Sequence, residues 1–215
     1  PEALERVFEA LRDFRSVARG SGVSRMVAAG TSALREAPNG AAFLRRVRRE
    51  LGLEIRLLSG VEEARLGFLG AVGGLPVESG VQFDLGGGSL QVARFHDRRL
   101  LGATSVPLGA LRVSHAFLRS DPPSGTEVRQ LREHARGVLA DAGLAPLARG
   151  EGLVGTGGTL RNLARVEQRR SGYPIFRLHG FTLTRRQLRD VTARLAKLTL
   201  KKRGRTSGLN QDRRD

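Results

Sequence analysis

The residues most able to do chemistry here are glycines that stand beside an acid or at the start of a helix. In Phe83-Asp84-Leu85-Gly86-Gly87-Gly88-Ser89, Asp84 ends an apolar run and three glycines follow it. With no side chains, Gly86, Gly87 and Gly88 let successive backbone N–H groups turn toward one point, with Ser89 completing the turn. Such a nest takes phosphate oxygens, and the adjacent carboxylate is placed to hold the Mg²⁺ that escorts them. A strand-like alternation follows the glycines, so this is neither a Walker loop nor a dinucleotide fingerprint. The plainer alternative is a glycine-rich hairpin turn. A second cluster, Gly155-Thr156-Gly157-Gly158-Thr159, leads into a helical pattern, where exposed N–H groups make an anion site. Position 160 is Leu, so GxGxxG is not completed. A tight strand-to-helix turn would use the same residues.

Two charged residues complete the set. In Ser59-Gly60-Val61-Glu62-Glu63, Ser59 and Glu62 fit a capping box, which gives Glu62 a structural task and leaves Glu63 without one. Glu63 shares a helix face with Gly67, Gly70 and Gly74, a stripe that lets a ligand or backbone come close. A solvated Glu on a closely packed helix is the competing reading. Arg35, in a loop after a strand, is placed to grip a phosphate, although in a chain this rich in Arg a single one is ordinarily a surface charge. His115 and His179 receive no chemical role.

The elements that must position these residues alternate. Leu4, Val7, Phe8, Leu11 and Phe14 mark an amphipathic helix ending near Gly20. Met26-Val27-Ala28-Ala29 reads as a strand, and Asn39 as the N-cap of a helix with Phe43, Leu44, Val47 and Leu51 inward. A strand over 55–58 and a helix over 62–72 come next. Strands over 81–85, 90–95 and 101–106 form an antiparallel meander. Helices over 109–118 and 126–141 precede a strand at 152–154 that runs through the second cluster into a helix ending near Arg169. Thr184 and Gln187 cap a last helix, and the tail from Lys201 reads as irregular. Gly73-Gly74-Leu75-Pro76 marks the boundary between lobes 1–74 and 75–215. The fold class is α/β with mixed sheets.

Composition narrows the functions. With no Cys among 215 residues, disulfides, thiolate zinc sites and Cys nucleophiles are excluded. No apolar run reaches a membrane span and the start resembles no signal peptide, so a cytoplasmic protein without a membrane partner is expected. The net charge is +16, but only three of 37 basic residues are Lys (Lys197, Lys201 and Lys202), the skew that GC-rich coding produces. Aromatics are 5% with no Trp, too few to interleave with the basic residues as stacking platforms, so nucleic acid ranks last among partners. An anionic substrate or plainly solvated Arg remain.

Five segments, in this order, resemble the exopolyphosphatase/guanosine-pentaphosphate phosphatase (Ppx/GppA) family. They are Thr31-Ser32-Ala33-Leu34-Arg35-Glu36-Ala37-Pro38-Asn39, Ser59-Gly60-Val61-Glu62-Glu63-Ala64, Asp84-Leu85-Gly86-Gly87-Gly88-Ser89, Pro107-Leu108-Gly109-Ala110 and Gly155-Thr156-Gly157-Gly158-Thr159. Leu178-His179-Gly180, Gly208-Leu209 and Arg213-Arg214-Asp215 add to it. The resemblance implies a two-lobed actin/Hsp70/acetate-kinase-like (ribonuclease H-like) fold. It also implies removal of the terminal phosphate from polyphosphate or guanosine pentaphosphate with Mg²⁺, and allows a homodimer. A module of the same fold that binds polyphosphate or guanosine tetraphosphate without cleaving it is the alternative. Carried over by motif, Glu63 is the general base and Asp84 a magnesium ligand. Arg35, residues 86–89 and residues 155–159 bind phosphate.

Two departures go with the resemblance. The family opens with an Asp-x-Gly-Ser-Asn-Ser phosphate loop and continues past the equivalent of Asp215, so an internal piece with an incomplete N-terminal lobe is expected. The family position two residues after Ser89 is normally Glu, a metal-side residue, and here it is Gln91. Leu90 and Val92 share one face of a strand, which turns Gln91 toward the cleft beside Asp84.

Overall fold

A computed structural model describes residues 2–211; Arg213-Arg214-Asp215 lie outside the described residues. The chain divides into two compact units, Pro1–Ser59 and Gly60–Asp215.

In the first unit, α1 (Glu2–Gly20) lays Leu4, Phe8 and Leu11 against the helix that carries Phe43, Val47 and Leu51. That buried stripe is narrower than the periodicity predicts. Val7 and Phe14 are 43% and 68% exposed, because the packing covers only one side of α1. The first strand, β1 (Ala28–Gly30), starts two residues later than expected, where Ile55 offers a pairing partner and Val27 does not take part. Residues 31–39, read as a loop, contain a single helical turn, α2 (Ser32–Arg35), closed by Leu34 and Arg35 N–H groups on the Thr31 carbonyl. Asn39 precedes α3 (Gly40–Leu51) as expected, though its side chain caps nothing. Strand β2 (Ile55–Leu57) then pairs in parallel with β1.

In the second unit, α4 (Gly60–Val72) covers a four-stranded sheet. Strands β3 (Gly80–Leu85), β4 (Leu90–His96) and β5 (Arg99–Val106) form the expected antiparallel meander. The sheet is mixed because β6 (Gly152–Thr156) joins β3 in parallel, giving the order β5-β4-β3-β6. Period-two alternation puts Ala93, Phe95 and Val154 on the face that receives Phe68 and Val72 of α4. Each large side chain buried there contributes roughly 1.5–3 kcal/mol.

The expected boundary at Gly73-Gly74-Leu75-Pro76 falls inside this unit, because the end of α4 is tied down from two sides. Arg98 lies in the hairpin between β4 and β5, where Asp97 and Arg98 both have positive φ. Its guanidinium donates to the carbonyls of Val72 (2.8 Å), Gly73 (3.2 Å) and Leu75 (2.9 Å). His179 Nε2 meets the remaining carbonyl, Gly74, at 2.9 Å, which requires the proton on Nε2. Carbonyls that a helix C-terminus leaves unbonded are thereby satisfied.

Five further helices follow among the described residues of this unit. They are α5 (Ala110–Phe117), α6 (Gly125–Asp141), α7 (Gly158–Arg170), α8 (Arg185–Ala196) and α9 (Leu200–Arg203). Thr184 and Gln187 form the predicted capping box on α8. Ser124 and Glu127 form another on α6; backbone N–H groups of Ser124, Arg119 and Ser120 converge on the Glu127 carboxylate and hold its pKa down at about 2. The tail read as irregular contains α9, which Thr199 caps. Among the described residues no helix is long and apolar enough to cross a membrane.

Candidate functional site

Strand register builds a polar row across the sheet. Asp84 on β3 lies opposite Gln91 on β4 and Thr156 on β6, and Gln91 lies opposite Ser105 on β5. Directly paired residues point to the same face, so Ser105, Gln91, Asp84 and Thr156 stand in line on the side that α4 covers. Two residues back along the strands, the corresponding row is Ala103, Ala93, Gln82 and Val154, with Gln82 its one polar member. The N-terminal half of α4 overlies this boundary. A Cβ on Gly60 would fall 2.4 Å from Ser105 Cβ, and one on Gly67 would fall 3.6 Å from Gln82 Nε2. Glu63, three residues after Gly60 and four before Gly67, is on the same helix face and is directed at the sheet between those contacts. It is half-buried, and its Oε2 is cut off from solvent. The expected stripe holds only in part, since Gly70 faces open space and Gly74 lies beyond the helix against His179.

The first glycine loop follows β3 and is fixed through its carbonyls. Ala110 N–H donates to Gly86 O at 2.8 Å, Arg112 N–H to Gly87 O at 3.1 Å, and Arg112 Nε to Gly88 O at 2.7 Å. In a trans peptide the C=O and the next N–H point in opposite directions. With three carbonyls turned to α5, the N–H groups of Gly87, Gly88 and Ser89 turn the other way, as an anion nest requires. Gly109 makes the approach feasible: a Cβ there would lie 2.2 Å from Gly88 C and 2.3 Å from Ser89 N. At the end of the loop, buried Ser89 accepts a hydrogen bond from Gln91 Nε2 at 2.6 Å.

The second loop follows β6, beside β3. Gly157 has φ +93°, and its missing Cβ would lie 2.6 Å from Asp84 Oδ1. The two glycine loops therefore meet at one carboxylate. Beyond Gly157 the chain enters α7, whose first N–H groups, at Gly158 and Thr159, have no partner within the helix. The Thr156 hydroxyl is already committed, donating to Phe83 O (3.2 Å) and accepting from Gln82 Nε2 (2.9 Å).

Gln91 is paired with Asp84 but is only 2% exposed, held by Ser89 and, at 3.3 Å, by the Ser105 hydroxyl. Its Nε2 is used on these hydroxyls, which leaves the carbonyl oxygen as the atom a cation could take. Among the described residues no three of His, Asp and Glu cluster to hold a metal. Arg35, in the first unit, donates from Nη1 to Leu58 O at 2.6 Å and lies 3.7 Å from Glu36. Sequence reading missed Gln82, Ser105 and Arg112. A polar residue two before Asp84 in an apolar strand was a usable signal for Gln82. The other two depend on hairpin register and on a distant helix docking, which no local pattern carries.

The site therefore belongs to an α/β protein in which two glycine loops come to a single acid at the ends of adjacent parallel strands. The chain belongs to the Ppx/GppA phosphatase family, whose model matches residues 1–215. It is 33% identical over 215 residues to exopolyphosphatase 1 of Mycobacterium leprae, covering 98% of this chain and 63% of that protein. To exopolyphosphatase 2 of Mycobacterium tuberculosis it is 30% identical, covering 100% and 70%. A crystal structure of the Aquifex aeolicus family member matches with a TM-score of 0.81 and 27% identity, over 100% of this chain and 69% of that one. An exopolyphosphatase from Cytophaga hutchinsonii shares the fold, with a TM-score of 0.88 at 24% identity over 100% and 70% of the two chains. The chain thus spans about 63% of the length of the Mycobacterium leprae relative.

Proposed function

We propose that the protein is a Mg²⁺-dependent phosphatase that removes the terminal phosphate of inorganic polyphosphate, with guanosine pentaphosphate as second substrate. The observation that carries this reading is the contact of Gly157 with Asp84, where both glycine loops meet. Relatives named exopolyphosphatase support the choice of substrate. The first loop, residues 86–89, holds the terminal phosphate through the N–H groups of Gly87, Gly88 and Ser89, since the Gly86 N–H is given to Ser89 O. Residues 155–159 bind it from the second loop, and Arg35 keeps the phosphate contact that the resemblance gives it. Glu63 takes the proton of a water as its oxygen bonds to phosphorus; the bridging P–O bond breaks and the shortened chain leaves. Loop N–H groups offset the charge that grows on the phosphoryl oxygens. Asp84 and the Gln91 carbonyl would hold Mg²⁺, a hard cation that accepts one carboxylate with water and substrate oxygens, and it would add positive charge there. We place the activity in the cytoplasm and carry a homodimer as the working assembly.

The decisive assay is phosphate release from polyphosphate by the purified full-length protein. Glu63→Ala should lower the rate on the order of 10²–10⁴-fold, while Glu62→Ala should not. Equal damage from both would mean the helix was misread as a site. The second reading, a module that binds without cleaving, is favoured by Gln91, which sets an amide beside Asp84 where a second charge would strengthen cation binding. Gln91→Glu should raise magnesium affinity and turnover in a magnesium titration; no change in either removes residue 91 from the metal's surroundings. Wild-type protein that binds polyphosphate with undetectable turnover selects the binding module.

A further inference from the structure

The first glycine loop is held by two kinds of partner, and only one of them is a side chain. The Gly86 and Gly87 carbonyls accept from backbone N–H groups of α5, which a substitution to any residue but proline leaves in place. The Gly88 carbonyl accepts from Arg112 Nε at 2.7 Å. The peptide that joins Gly88 to Ser89 therefore takes its orientation from the Arg112 side chain.

We infer that Arg112 is a positioning residue of the first glycine loop and makes no contact with phosphate. The inference rests on the proposed function, and it runs against what an Arg beside a phosphate loop suggests. Guanidinium and anion lie at opposite edges of the same peptide group. Arg112 holds the carbonyl edge, so the N–H edge of Ser89 faces away from it, toward the substrate side. A hydrogen bond from a charged donor is stronger than a neutral one, which suits it to fixing a glycine peptide that would otherwise turn freely. The arrangement also gives a task to Pro107-Leu108-Gly109-Ala110, which otherwise serves only as a family mark. That segment sets α5 so that its first N–H groups meet the loop from behind, and those N–H groups are consumed by protein carbonyls.

The test uses the full-length protein and Arg112→Ala. Backbone order parameters from ¹⁵N relaxation should fall at Ser89 from the rigid value of about 0.85 toward about 0.6, with Gly87 and Gly88 unchanged. Turnover of polyphosphate should drop about tenfold with KM within about twofold. That is less than the roughly 10²–10³ lost when a donor is removed outright, because the N–H is still present but no longer aimed. Added methylguanidinium should restore part of the rate. An unchanged Ser89 amide overturns the inference. So does a raised KM at constant kcat, which would make Arg112 a substrate contact. Simultaneous loosening of all four loop amides with loss of the melting transition would make it a structural pillar instead. If the wild-type protein neither cleaves nor binds polyphosphate, the functional reading fails, while the Ser89 amide still decides the role of Arg112.

Discussion

The two glycine loops of the second unit arrive at the same carboxylate by different physical means. The loop after β6 runs directly into α7, so its N–H groups are aligned by the helix that begins there. The loop after β3 runs into another strand and has no helix of its own. Its N–H groups are aligned because α5, which begins more than twenty residues later, takes the carbonyls. One loop is oriented from within its own segment, the other by a docked neighbour. The first arrangement depends on local geometry and the second on tertiary packing, and they should fail differently.

Removing the glycine that each arrangement needs is the strongest way to separate them. Gly109→Ala puts a Cβ 2.2–2.3 Å from backbone atoms of the loop after β3, at an ordinary φ of −64°, so the whole cost is the collision. We expect about 3 kcal/mol of destabilisation, the upper part of the overpacking range. Gly157→Ala meets Asp84 Oδ1 at 2.6 Å and also requires φ +93° of a residue with a side chain. A comparable loss of about 3 kcal/mol is expected, part of it backbone strain. Chemical denaturation gives the sizes, and phosphate titration with NMR gives the location. Gly109→Ala should disturb the Gly87 and Gly88 amides, although residue 109 lies far from them in sequence. Gly157→Ala should disturb Asp84 and the start of α7. If Gly109→Ala left the first loop's amides unmoved, α5 would not be what orients them.

The same contrast governs how much could be read from sequence. Most of the element order, the meander and the capping box at Thr184 follow from alternation, spacing and residue type, all of which act over a few residues. So does the second loop, whose glycines and helix are contiguous. The positive-φ turn at Asp97 and Arg98 was illegible, since Asp97 tolerates the left-handed region but Arg98 is not a usual former of it. What holds Arg98 there includes its grip on the end of α4, a contact from beyond the hairpin. The glycines at the expected boundary show the same thing: they look like a linker, yet Arg98 and His179 tie them down. For the site, Asp84, Glu63 and both loops stood out by type and spacing. The depth of Gln91 did not, because both faces of β4 are covered, and alternation tells only that its faces differ.

A smaller effect sharpens the account of the second loop. The Thr156 hydroxyl has one hydrogen, and it points at Phe83 O. It therefore has none to give a phosphate, so this residue can serve an anion through its backbone alone. Thr156→Val keeps the shape and removes the acceptor of Gln82 Nε2, stranding a fully buried amide. The expected cost is about 2 kcal/mol in stability, within the range for leaving a buried donor unsatisfied. Polyphosphate affinity of the surviving folded protein should stay within about twofold. A large loss of affinity at little loss of stability would show that the hydroxyl turns to the substrate and that the second loop is less self-sufficient than its geometry indicates.

The smallest effect concerns Gln82 itself, which supports the second loop from β3. Its side chain is fully buried, with Nε2 on Thr156 and Oε1 meeting no hydrogen-bond donor. A buried acceptor left unsatisfied costs about 1–3 kcal/mol, whereas the bond on the other side of the amide returns only about 1 kcal/mol. Gln82→Met keeps the length and nearly the volume while removing both polar atoms. Thr156 would still be held, because its hydroxyl donates to Phe83 O without any help from Gln82. Stability should therefore stay level or rise by up to about 1 kcal/mol, with phosphate affinity and turnover unchanged. Equilibrium denaturation beside a turnover assay reads both. A variant that is more stable yet slower would give the amide a part in the reaction. The second loop would then depend on a neighbouring strand much as the first depends on α5, and the distinction between the two loops would narrow to one of degree.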